Sequence, residues 1–183
     1  MGSYSNVYQS IGVEPIINCR GTFTIIGGSV ELPEVLEAMD AASGYFVQYD
    51  ELAAGVGRKL AEITGAEWGL VSAGCAAGIK HITAACITGG NPEKLIRIPD
   101  LSGVEKTQVI APAYSRNAYD HAVRNIGVEV LTVETAAELE RAINPRTAMI
   151  YLTTGAASAP GQALALERIA EIATPHEIPI LAD

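Results

Sequence analysis

The chain is short of positive charge: 12 Lys and Arg stand against 21 Asp and Glu, for a net charge of −9 and a pI near 4.8. Nucleic-acid binders usually carry a basic face, so a nucleic-acid partner is disfavoured. The chain also lacks a signal-like apolar segment after Met1 and any apolar run of about 18 residues. The expectation is a soluble, cytoplasmic protein with no membrane partner. Cysteine is scarce. Cys19, Cys75 and Cys86 are odd in number and lack C-x-x-C spacing, which excludes a disulfide frame or zinc site and leaves reduced thiols. His81 and His176 have no metal-like neighbours, and no metal site is expected. The Gly-Lys-Ser/Thr of a Walker loop, the G-x-G-x-x-G of a dinucleotide fold and the G-x-S-x-G elbow of a hydrolase are all missing. Internal repeats and low-complexity segments are missing too.

What is present is a globular composition, 183 residues with 49% apolar side chains, enough for a substantial core. A loose polar arm is expected over 1–10 and an extended segment over 11–18, ending in the polar turn Asn18-Cys19-Arg20-Gly21-Thr22. Helices are expected over 34–42, with Pro33 at the first helical position, and from a cap at Asp50 to Gly65, where Leu52, Val56, Leu60 and Ile63 recur at helical spacing. From Trp68 the pattern alternates. Strands are expected over 68–72, 107–111, 128–133, 147–153 and 178–182, with helices over 76–88, 117–126, 135–143 and 164–174. Thr135 with Glu138 reads as a capping box. Residues 91–106 read as an excursion carrying Pro and Gly. Short Val/Ile/Leu-rich strands alternating with helices predict an α/β fold, a mostly parallel sheet flanked by helices. The organisation expected is an N-terminal arm with helices over 1–67 and an α/β part over 68–183. The chain stops within an apolar strand pattern at Asp183, which reads as truncation, a split protein or a fragment.

The stretch Val71-Ser72-Ala73-Gly74-Cys75-Ala76-Ala77-Gly78 organises the rest. A small-residue turn between a strand and a helix presents backbone N–H groups and a positive helix end to an anion. It suits one phosphate group, or else it is a tight packed turn. Cys75 inside it either carries a thiol pKa lowered by the helix end or is there because it is small. In a parallel sheet, ligands bind at the carboxyl ends of strands, which also picks out loops 112–120 and 153–161, and Asp183. Asp183 would pair with a protonated ring nitrogen or serve as a loop carboxylate. In Tyr119-Asp120-His121-Ala122-Val123-Arg124, Asp120 would cap the helix, His121 would face the site and Arg124 would meet an anion; the alternative is a solvated helix start. Arg20 would hold a carboxylate or phosphate bidentately, or form a surface ion pair. Tyr119 or Asn117 would touch a flat ring, and no spacing argument decides between them.

Together these stretches resemble the pyridoxal-phosphate (PLP) enzymes of fold type I. The nearest group is that of L-seryl-tRNA(Sec) selenium transferase, which includes D-glucosaminate-6-phosphate ammonia-lyase-like proteins. The resemblance is carried by Ile17 to Thr22, Leu60 to Glu67, Ser72 to Gly78, Ala118 to Arg124 and Pro179 to Asp183. It implies the N-terminal part of a PLP-binding large domain. It also implies a lyase or transferase acting on an amino acid or amino sugar acid by loss of the α-proton and elimination, working as a homodimer or larger homo-oligomer. By the same resemblance Ser72, Ala73, Gly74 and Cys75 hold the cofactor phosphate. Asp183 pairs with the ring nitrogen, His121 lies on the ring side, and Arg20 and Arg124 bind substrate anions. Two features depart from the group. Lys59, Lys80, Lys94 and Lys106 do not match the family's Schiff-base lysine, so the chain alone is expected to be inactive, and a non-catalytic phosphate- or partner-binding role is an alternative. The loop Thr153-Thr154-Gly155-Ala156 lacks the Ser-Asn of the selenium transferase, which weighs against the seryl-tRNA alternative.

Overall fold

The structure, a computed structural model, describes residues 5–22 and 24–183. Its contacts divide the chain into two units, Met1–Tyr49 and Asp50–Asp183.

In the first unit, helix α1 (Ser5–Gln9) replaces most of the expected loose arm, whose first four residues lie outside the described residues. The polar turn is built by Asn18. Its Oδ1 accepts from the N–H groups of Arg20 at 2.9 Å and Gly21 at 3.2 Å, and its Nδ2 donates to the Gly21 carbonyl at 2.8 Å. Asparagine does this because its short amide mimics a backbone turn. Helix α2 (Pro33–Ser43) starts at Pro33 as the sequence predicts, with Glu34 in the positively polarised first turn. None of its residues is buried.

Helix α3 (Tyr49–Thr64) belongs, from Asp50 on, to the second unit. Asp50 lies inside its first turn instead of at the cap, and it favours the helix through the dipole alone. The helix ends at Gly65, whose φ of +75° suits glycine, with its N–H on the Ala61 carbonyl at 2.9 Å. Leu52 and Ile63 are exposed, so the apolar stripe of α3 is only partly covered.

The strand expected over 68–72 does not form. A strand needs a neighbour to take its backbone groups, and this segment docks on α3 instead. The Gly69 N–H donates to the Gly57 carbonyl at 3.2 Å, and the Trp68 indole covers Gly57. Gly57 and Gly69 make this approach possible. A Cβ on Gly57 would lie 2.5 Å from the indole carbons, and one on Gly69 would overlap Leu60.

Helix α4 (Cys75–Thr88) follows and ends at the left-handed Gly89. Residues 91–106 contain a helix the sequence reading passed over, α5 (Pro92–Arg97). Asn91 caps it, accepting from the Glu93 and Lys94 N–H groups, and Pro92 follows directly. Asn-Pro at a helix start was the signal available.

Four strands form the sheet: β1 (Gln108–Pro112), β2 (Glu129–Val133), β3 (Thr147–Leu152) and β4 (Ile180–Ala182). Their order is β2-β1-β3-β4, and every pair is parallel, as the alternating pattern predicts. Every residue of β1 and β3 is buried, because helices cover both faces. Helix α4 and the short α6 (His121–Arg124) pack Ile79, Ile87 and Val123 on Val109, Ala111 and Tyr151. On the opposite face α7 (Ala136–Ala142) and α8 (Leu166–Ala173) bring Leu139, Ile169 and Ile172 onto Ile110, Ile150 and Leu152. Each such side chain contributes about 1.5–3 kcal/mol by leaving water.

Two helix readings change in detail. The helix expected over 117–126 is a 3-10 turn (Ala118–Asp120) followed by α6. Asn117 caps the turn, and Gly127 at φ +97° ends the run. At α7, Thr135 accepts from the Glu138 N–H at 3.2 Å, but the Glu138 carboxylate reaches the Glu134 N–H at 2.7 Å, one residue before the box position.

Gly57→Ala should displace the Trp68 indole and shift the emission of the chain's one tryptophan. Gly55→Ala, two residues earlier with open space around it, should leave the emission unchanged. It should also raise stability by up to ~1 kcal/mol. Fluorescence and urea unfolding of both variants check this.

Candidate functional site

Parallel strands place all their carboxyl ends at one edge. From β1 the chain runs first to β2 on one side and then to β3 on the other, so a crevice opens between the ends of β1 and β3. Ser115, fully buried, stands there. Its Oγ accepts from the Thr153 N–H at 2.9 Å and ties the two loops together. The sequence reading missed Ser115, since a lone serine after a strand carries no local signal.

The predicted cradle lies at the same edge. Gly74 precedes α4 with φ 104° and ψ 171°, and no side chain caps the helix. The first N–H groups of a 14-residue helix therefore face outward with the positive end of its dipole. The Ser72 hydroxyl donates to the Gly74 carbonyl at 2.9 Å and holds the turn. Ala73 is exposed beside it. Gly78 keeps the turn close, since a Cβ there would sit 3.2 Å from Ser72 Oγ.

Asp183 is joined to this cradle. Its N–H donates to the Leu152 carbonyl at 2.9 Å, and its own carbonyl accepts from the Thr154 N–H at 2.7 Å and the Thr154 hydroxyl at 2.8 Å. Its carboxylate receives the Cys75 thiol on Oδ1 at 2.6 Å and faces the Tyr151 hydroxyl from Oδ2 at 3.4 Å. Of the two readings of Cys75, this goes against the thiol lowered by the helix end. Donation to the Asp183 carboxylate, then burial and the carboxylate's charge, push the thiol pKa up. The neutral S–H is the form the carboxylate binds.

His121 is exposed and lines a hollow of about 240 Å³ with Ala76, Lys80, Ala118, Tyr119 and Ala122. The imidazole and the first turn of α4 thus share one space. Lys80, a turn beyond Ala76, was not singled out in the sequence because the family's lysine lies elsewhere.

Asp120 does not cap α6 with its side chain. It is 3% exposed and accepts from Arg116 Nε at 2.6 Å and Arg124 Nε at 2.7 Å. Arg116 also donates to the Thr132 hydroxyl on β2 at 2.6 Å. Burial works against the Asp120 charge, but the bonds from Arg124 and Arg116 outweigh it and hold the carboxyl below the ordinary value. Arg124 is therefore engaged by Asp120 through Nε. Arg20 belongs to the first unit, on the Asn18 turn.

The hollow thus joins the imidazole to the first turn of α4, and the Cys75–Asp183 contact joins that helix start to the strand-end carboxylate. The fold is that of the large domain of fold type I PLP-dependent enzymes, in its N-terminal portion. In sequence the chain is 30% identical to the D-glucosaminate-6-phosphate ammonia lyase of Salmonella typhimurium, covering 97% of this chain and 50% of that protein. A solved structure of a D-glucosaminate-6-phosphate ammonia-lyase superposes with a TM-score of 0.88 at 29% identity, again over 97% of this chain and 50% of the other. A 5'-C-glycyluridine monooxygenase-decarboxylase from Streptomyces sp is 26% identical over all of this chain and 48% of its own length. The chain thus spans about half the length of the curated relatives it matches. No family model matches it. Among the described residues, no helix is long and apolar enough to cross a membrane.

Asp183→Asn should return the Cys75 thiol toward its ordinary pKa, so its alkylation rate at pH 8 should rise, measured with Cys19 and Cys86 replaced. An unchanged rate would show that the carboxylate does not hold the thiol. Asp120→Asn should cost about 1–3 kcal/mol at pH 7, below the range for fully buried pairs because the two guanidiniums are 31% and 46% exposed. A depressed carboxyl pKa gives stability that is present above the unfolded value, about 4, and is lost as pH falls through the folded one. The gap between wild type and variant in urea unfolding should therefore narrow below pH 4.

Proposed function

We propose that this chain binds pyridoxal 5′-phosphate at the carboxyl edge of its sheet, as part of a PLP-dependent lyase acting on an amino acid or amino sugar acid. The observation that carries the reading is the contact between Cys75 and Asp183. It sets the anion-binding helix end and the ring-nitrogen carboxylate side by side from positions 108 residues apart. The names of the ammonia lyases support the substrate class. The decarboxylase match supports only the shared half and not one reaction.

In this reading the backbone of Ser72, Ala73, Gly74 and Cys75 and the α4 terminus hold the phosphate. Asp183 keeps a proton on the ring nitrogen by charge pairing, and His121 covers a ring face. Arg124, steadied by Asp120, takes a substrate anion. The cofactor, when bound, supplies an electron sink for bond breaking next to the substrate amine. Lys59, Lys80, Lys94 and Lys106 do not match the family's Schiff-base position, so we propose that the chain as given holds the cofactor without a covalent bond and turns nothing over. The assembly we propose is a homo-oligomer. Exposed apolar side chains of the first unit support it, with Ile17 92% and Val30 94% exposed.

Equilibrium dialysis with PLP tests the reading. Saturable binding is expected, weakened at least tenfold by Gly74→Val, because a β-branched residue at φ 104° is strained and distorts the cradle. Asp183→Ala should weaken it as well. Absence of saturable binding to the wild-type chain would overturn the proposal.

A further inference from the structure

Among the described residues, the largest fully buried side chain is Tyr151, 1% exposed on the central strand β3. Its ring packs in the α4-side core, and a buried phenol needs a partner for its hydroxyl. The sheet register supplies one. Tyr151 lies opposite Leu181, and strand alternation returns Asp183 to the same face two residues later. The hydroxyl stands 3.4 Å from Asp183 Oδ2, while Cys75 of α4 holds Oδ1. Two elements therefore grip the two oxygens of one carboxylate.

The groups facing the phenol are Asp183 just beyond β4, Cys75 from α4 and Asp120 from the 3-10 turn. Burial first, then the Asp183 charge, pushes the Tyr151 hydroxyl up to about 12. It stays protonated throughout the neutral range and is a permanent donor.

We propose that Tyr151 is a positioning residue: its hydroxyl donates to Asp183 Oδ2 and fixes the rotation of the carboxylate toward a protonated ring nitrogen. The ring nitrogen rests on the proposed cofactor reading. The grip on Asp183 belongs to the chain itself.

Two measurements on the full chain separate these. In the cofactor-free protein, Tyr151→Phe should lower the urea midpoint in the wild-type background and not in an Asp183→Ala background, because the hydroxyl acts through that carboxylate. Equal losses in both backgrounds would overturn the proposal. With ¹⁵N-labelled PLP, Tyr151→Phe should weaken binding three- to tenfold and move the ring-nitrogen resonance toward the unprotonated position. Unchanged affinity and resonance would overturn the positioning role. If the wild type binds no PLP, the cofactor reading fails while the unfolding cycle still decides the grip. Should Tyr151→Phe fail to fold, the phenol titration at 295 nm in Asp183→Ala replaces it. A fall from the wild-type value supports the contact, and no change rejects it.

Discussion

The bond from Cys75 to Asp183 joins the start of a helix to the end of a strand across 108 residues. It exists only because β4 is laid beside β3 in a fixed register and α4 is packed across the same face of the sheet. The register puts Asp183 diagonal to Tyr151, and the helix packing brings Cys75 over it. Burial of β3, the central and wholly buried strand, is what holds both. The site is thus an outcome of core packing, and the apolar residues beneath it set the positions of the polar ones above.

Charge is arranged around that bond with some economy. The helix end contributes positive potential where Gly74 leaves it uncapped, and the Asp183 carboxylate reaches it through Cys75. The second carboxylate at this edge, Asp120, is neutralised by Arg116 and Arg124. It therefore orders the loop that carries His121 without adding a net negative field. In a chain of net charge −9, this pairing leaves the edge with less negative field than the composition alone would give it.

How much was legible in sequence follows from how local each signal is. The strands β1 and β3 could be read because a fully buried parallel strand needs an unbroken apolar run, and such runs stand out; β2 and β4, less covered, were read from their Val, Ile and Leu content. Pro33 and Thr135 marked helix starts through their own backbone and hydroxyl chemistry. The segment 68–72 misled because its composition is that of a strand, while strand formation depends on a partner, and this backbone pairs with α3. Cys75 could not be decided from sequence for a similar reason: the group that raises its pKa is a carboxylate 108 residues away. Asp120 read as a cap because it precedes a helix, and only packing shows that two arginines close on it.

The sequence by itself determined the alternation of strands and helices, the small-residue turn before α4 and the acidic residue after β4. Periodicity, turn chemistry and residue size act within a few residues of chain. Tertiary structure alone decided that turn and carboxylate meet, that Tyr151 lies against Asp183, and that Ser115 bridges the crevice. These are contacts between residues far apart in the chain. They depend on strand order and register, which are set by the global fit of apolar faces and by no local feature.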